Sequence, residues 1–122
     1  MTTPAVERRR GERQALIETA AAWAERLASR HEVAAVVVFG STARGDFNKW
    51  SDVDVLVVAP ELPGGRRERD ELLTADATPG VQPVAWTPEE LAERRRRNDP
   101  IARECDAIGV TVYGALPPPG QE

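Results

Sequence analysis

The stretch Phe39–Ala59, FGSTARGDFNKWSDVDVLVVA, places a Gly-Ser pair ten residues ahead of Asp-Val-Asp, and the second aspartate opens a run of aliphatic residues. Side chains alternate along a strand, so Asp52 and Asp54 are expected to share one face while Val53 and Val55 take the other. Two carboxylates this close repel, and each favours its protonated form unless a cation compensates. A hard divalent ion such as magnesium, which takes oxygen ligands at about 2.1 Å and leaves places for phosphate oxygens, answers that need. Upstream, Gly40 has no β-carbon and lets a ligand reach the backbone. Exposed N–H groups in such a turn form an anion-binding concavity, and Ser41 adds a hydroxyl. An anion site at the end of one strand beside a cation site on the next suits a metal-bound nucleoside triphosphate. The structural alternative is that the two acids cap a turn and pair with nearby arginines. The Gly-Ser turn at this distance favours the metal site.

Outward from this stretch the chain alternates helices and strands. VAAVVVF (Val33 to Phe39) is a continuous run rich in β-branched residues, the pattern of a strand covered on both faces and therefore central. GSTARGD between the two strands has room for a turn or one helical turn. From about Val6 to Arg30, Leu16, Ala20, Trp23 and Leu27 recur at three- and four-residue steps and predict a long helix, with Gly11 marking a frayed first turn. After Gly65, RRERDELLTA predicts a short polar helix anchored by Leu72 and Leu73. Val81 to Trp86 predicts a third strand, placed at an edge or bulged because Pro83 lacks a ladder donor. TPEELAERRRR carries Thr87 as N-cap, Pro88 at the first helical position and Glu90 to close a capping box. PIARECDAI predicts a last helix with Ile101, Cys105 and Ile108 inward and Gly109 at its C-terminal cap. GVTVYG predicts a final short strand. The pattern specifies an α+β or α/β sandwich, a small sheet flanked by helices. One domain is expected over residues 1–116, followed by a flexible proline-rich tail over 117–122.

Bulk properties exclude several classes. Charged residues make up 30% and hydrophobic ones 41%, a balance that suits a soluble folded chain. The net charge of −4 argues against nucleic acid as the partner. The arginine clusters at Arg8 to Arg10, Arg66 to Arg69 and Arg94 to Arg97 are expected to be solvated helix faces laced with Glu–Arg pairs. A lone cysteine, Cys105, makes no intrachain disulfide and reads as core filler, and His31 has no second histidine with which to build a metal cluster. No run of roughly 20 apolar residues spans a membrane, the N-terminus lacks the apolar core of a signal peptide, and the cytoplasm is the expected compartment. Trp23 and Trp86 are expected in the core, whereas Trp50 in the motif loop could lie near a nucleotide, and Lys49 is expected to be exposed.

The segment GSTARGDFNKWSDVDVLV resembles, at nearly every position, the GSxARGxxxxxSDxDLxV form of the minimal nucleotidyltransferases of the DNA polymerase beta superfamily. The resemblance is specific over Val33 to Thr87 and follows the order of elements elsewhere. It implies a polymerase-beta-like nucleotidyltransferase fold. It further implies that Asp52 and Asp54 are catalytic and hold Mg2+, that Gly40 and Ser41 cradle the triphosphate of ATP or another nucleoside triphosphate, and that a nucleotide monophosphate passes to a hydroxyl. Arg44 fits the same pattern and could neutralise phosphate charge, with structural pairing to Asp46 or Asp52 as the alternative. Active members supply a third carboxylate from the following strand, where this chain has Gln82, which neither takes a proton nor balances charge. The nearest substitutes, Asp76 and Glu89, fall off that strand. The larger relatives' helical acceptor domain is not expected in these 122 residues. The resemblance therefore implies either a helical HEPN-type partner, with a tyrosine of that toxin as acceptor and this chain as antitoxin, or a homodimer. The alternative is a catalytically impaired module that binds nucleotide and sequesters a partner.

Overall fold

A computed structural model describes residues 3–48, 50–74 and 78–122 of the protein. Lys49 and Asp76 lie outside the described residues. The elements run in the order α1 (Pro4–Ala28), β1 (Ala35–Phe39), α2 (Gly40–Arg44), β2 (Val53–Val58), α3 (Arg66–Thr74), β3 (Val81–Trp86), α4 (Pro88–Arg96), α5 (Pro100–Ile108) and β4 (Val110–Gly114). The four strands form one mixed sheet ordered β3-β2-β1-β4. β1 is antiparallel to both β2 and β4, and β2 runs parallel to β3. β1 is interior and β3, with Pro83, is an edge strand, as their compositions require.

The period-two alternation of β1 and β2 divides the core between two layers. Val36, Val38, Val53, Val55 and Val57 face one side and pack with Trp23, Ala24 and Leu27 of α1 and Leu73 of α3. Ala35, Val37, Phe39, Leu56 and Val58 face the other and pack with Leu91 of α4 and Ala102 and Cys105 of α5. Asp54, two residues ahead of Leu56, therefore stands on the α4–α5 side of the sheet.

Local chemistry fixes the helix ends. Thr3 caps α1 by accepting the Val6 N–H, and Pro4 sits in the first turn, so the helix starts two residues earlier than the expected Val6 and carries Gly11 in its interior. Thr87 and Glu90 close the expected capping box, Thr87 Oγ1 accepting the Glu90 N–H and the Glu90 carboxylate accepting the Thr87 N–H. Asp99 is the cap of α5 and accepts the N–H groups of Ile101 and Ala102. Gly109 ends that helix with φ −58. Its need for glycine is spatial, because an added Cβ would lie 2.5 Å from the Cys105 carbonyl oxygen and 2.6 Å from Val37 Cγ1. Ile108, expected inward, is 43% exposed because it occupies the last residue of α5 beside this tight crossing. At the C-terminal end Leu116 packs against the α4–α5 core, and the Glu122 carboxylate pairs with Arg95 at 2.8 Å. Among the described residues no helix is long and apolar enough to cross a membrane.

Candidate active site

The register of β1 on β2 brings the two halves of the motif together. Phe39, the last residue of β1, is paired with Asp54, so the chain turns into α2 directly beside that carboxylate. Gly40 has φ +72, and a Cβ built there would meet Asp54 Oδ2 at 2.4 Å. Glycine is required on two counts, a left-handed backbone and the close approach of the aspartate. Asp52 is exposed and immediately precedes β2, which begins at Val53, and the buried Val53 points into the α1 core between the two acids. The five residues GSTAR make just over one helical turn, which Gly45 ends at φ +92.

Burial, followed by the negative charges of Asp52 and Glu104, pushes the Asp54 carboxyl above the usual carboxylate range, and Arg44 offsets part of that push. Among the described residues Arg44 compensates that carboxylate only in part. Asp52 and Asp54 as a pair fit a hard divalent ion that takes its remaining ligands from phosphate and water. Among the described residues no group of three or more His, Cys, Asp or Glu side chains is gathered closely enough to hold a metal by itself. Gln82 is the direct neighbour of Asp54 across the parallel β2–β3 pairing. Glu89 lies in the first turn of α4 rather than on that strand. Asp54 and Gln82 line a cavity of about 470 Å3 whose walls include Phe39, Ile101, Arg66 and Asp70.

Arg44 makes the structural contact that was its alternative role, with an additional partner. Its Nε donates to Asp46 at 3.2 Å, and its Nη1 donates to both oxygens of Glu104 at 2.9 and 3.1 Å. Glu104 Oε1 also accepts the Gly40 N–H at 2.5 Å. Glu104 carries no signal in the sequence, since it comes from α5, 64 residues away from Gly40.

A second group that composition hid is the pair Arg9 and Arg13. Arg9 donates to the carbonyls of Gly45 and Phe47 and lies over the Phe47 ring at 3.6 Å, while Arg13 donates to Thr42 and Ala43. These arginines bind the carbonyl end of α2 and the start of the motif loop to α1, so the first arginine cluster is not simply a solvated face. The other clusters do contain the expected pairs, such as Arg67–Glu71 and Arg97–Glu93. Trp50 is 80% exposed, whereas Trp23 and Trp86 are in the core. Cys105 is buried, and burial pushes its thiol up to about 12, which suits packing and not nucleophilic chemistry.

The chain is similar to known proteins in sequence and in fold. The family described as Nucleotidyltransferase domain matches residues 22–103, well over half of the chain. A protein of Methanocaldococcus jannaschii, provisionally named a protein adenylyltransferase, is 57% identical over 28 residues. That match takes in 23% of this chain and 28% of the relative, so the chain spans little more than a quarter of that protein's length. The crystal structure of a protein from Sulfolobus solfataricus, provisionally named a nucleotidyltransferase, superposes with a TM-score of 0.66 at 20% identity, over 93% of this chain and 90% of that one. A chain of a toxin–antitoxin crystallised with AMP-PNP superposes with a TM-score of 0.55, also at 20% identity, over 79% and 74%. At such identities these two likenesses concern the fold. The matched region contains the Gly-Ser turn, the Asp-Val-Asp pair and the strand bearing Gln82, and on that ground the chain belongs to the nucleotidyltransferase domain family.

Proposed function

We propose that the protein binds a magnesium-bound nucleoside triphosphate, ATP or another, and transfers its nucleoside monophosphate to a hydroxyl. The observation that carries this reading is the meeting of Gly40 with Asp54. The glycine turn and the Asp54 carboxylate, which suits a cation, lie so close that no β-carbon fits between them. In this reading Asp52 and Asp54 are catalytic and hold Mg2+, and Gly40, Ser41 and Arg44 hold the phosphates. The ion, when bound, supplies positive charge that offsets the charge of the phosphates and of the leaving group. The acceptor oxygen attacks the α-phosphorus, the bond to the α–β bridging oxygen breaks, and pyrophosphate leaves. Gln82 can orient an oxygen through its amide but cannot take the hydroxyl proton, which goes to Asp54 or to solvent.

The toxin–antitoxin neighbour and the adenylyltransferase relative support a protein acceptor, and a tyrosine on a helical HEPN-type toxin fits the chemistry. In that setting this chain acts as antitoxin in the cytoplasm, with a homodimer as the other means of covering the cleft. Residues 1–116 form the catalytic unit, and 117–122 serve as a tail. The second reading, a module that binds nucleotide and sequesters its partner without transfer, is favoured by one observation, Gln82 beside Asp54 where a third carboxylate would complete the site.

Titrating magnesium and ATP into wild type and Asp52→Asn, then following label from α-labelled ATP onto a co-purified partner, separates the readings. Transfer that disappears in Asp52→Asn supports the enzyme, and binding without transfer selects the module. No ATP binding by wild type refutes both.

A further inference from the structure

Two donors that the proposed function assigns to the phosphates already hold an anion. Glu104 Oε1 accepts the Gly40 N–H at 2.5 Å and Arg44 Nη1 at 2.9 Å, and Glu104 Oε2 accepts the same Nη1 at 3.1 Å. A carboxylate that takes charge-assisted hydrogen bonds from a backbone N–H and a guanidinium imitates the edge of a phosphate. Its charge also falls on Asp54, which Glu104 pushes further from its ordinary range. Glu104 is not locked there by burial, because its side chain is 25% exposed. α5 joins the core through Ala102 and Cys105 and not through Glu104, so a change of rotamer at Glu104 leaves that packing in place.

We propose that Glu104 is a specificity-determining residue that occupies the phosphate-binding donors in the unliganded protein, so that a polyphosphate enters only by exchanging with it. The proposal rests on the assignment of Gly40 and Arg44 to the phosphates. Two anions cannot share the same donors, and Asp46, Asp52 and Asp54 stand close by with no cation of this chain besides Arg44 paired to them among the described residues. Bare phosphate is therefore disfavoured, and a cation-loaded polyphosphate, which brings its own charge compensation, is selected.

The test is calorimetric titration of the full chain with inorganic tripolyphosphate, with and without magnesium, in wild type, Glu104→Gln, Glu104→Ala and Glu93→Gln. Glu93 sits on α4 in surface pairs with Arg96 and Arg97, so its variant makes the same change in net charge away from the site. Both Glu104 variants are expected to bind tripolyphosphate about tenfold tighter than Glu93→Gln, with the larger gain in the absence of magnesium. Equal or weaker binding by the Glu104 variants overturns the proposal and leaves the phosphate assignment standing. Absence of binding in every variant overturns both. An amide NMR spectrum gives an independent check, because Glu104→Gln must shift the Gly40 N–H resonance before any ligand is added. An unmoved resonance shows that the contact is not made in solution and also overturns the proposal.

Discussion

Replacing Gly40 with alanine tests the geometry on which the site depends. The added Cβ would stand 2.4 Å from Asp54 Oδ2, 3.2 Å from Cγ and 3.3 Å from Cβ, where ordinary contact begins at 3.4 Å. The backbone at φ +72 carries a separate penalty of about 1–2 kcal/mol for an L-residue. Gly45→Ala isolates that penalty, because Gly45 has φ +92 and nothing within 4 Å of an added Cβ. The difference between the two variants is therefore the cost of moving Asp54 out of its rotamer well, about 1 kcal/mol. For a chain of this size that difference corresponds to a melting temperature lower by about 3–6 °C in Gly40→Ala than in Gly45→Ala. A displaced carboxylate also weakens Mg-ATP binding, because the cation loses a ligand held in place. Thermal unfolding by circular dichroism, paired with calorimetry of Mg-ATP binding, measures both quantities. If Gly40→Ala melts with Gly45→Ala and binds Mg-ATP as wild type does, the close approach of turn and carboxylate is wrong, and the site built on it fails.

Two further substitutions probe the electrostatics and the frame. The folded-state pKa of Asp54 is raised by burial and then by Asp52 and Glu104, so the native state holds the proton more tightly than the unfolded chain. Stability is lost as pH rises from about 4 through the raised value, and Asp54→Asn should melt higher than wild type at pH 7 without metal, with the gain vanishing below about pH 4. A variant that melts lower than wild type at pH 7 would contradict this sign. Thr87→Ala removes the acceptor of the Glu90 N–H and half of the capping box, and should cost about 1 kcal/mol, read in urea as a lower midpoint with an unchanged slope.

Much of the fold could be read locally. The unbroken run Val36, Val37, Val38 identified a strand buried on both faces, and Pro83 placed its strand at the edge. Gln82 was placed on the strand beside Asp54 by alignment with the family's pattern, and the parallel register puts it there. What escaped depended on long side chains choosing partners far along the chain. Arg9 looked like any surface arginine, yet it reaches Gly45 and Phe47, and Arg13 reaches the carbonyls of Thr42 and Ala43. Ile108 fitted an inward stripe until the crossing at Gly109 ended the helix there.

The sequence by itself determined the alternation of elements, the capping box of α4, the glycine that ends α5, and the spacing that pairs a glycine turn with two aspartates, because each depends on residues no more than about a dozen positions apart. Only the tertiary structure decided what faces that turn. Packing α5 against β1 carries Glu104 to the Gly40 N–H, and α1 delivers its arginines to the far end of the same short helix. Contacts of this kind follow from the docking angle of whole helices on the sheet, a property of the assembled core that no local run of residues encodes.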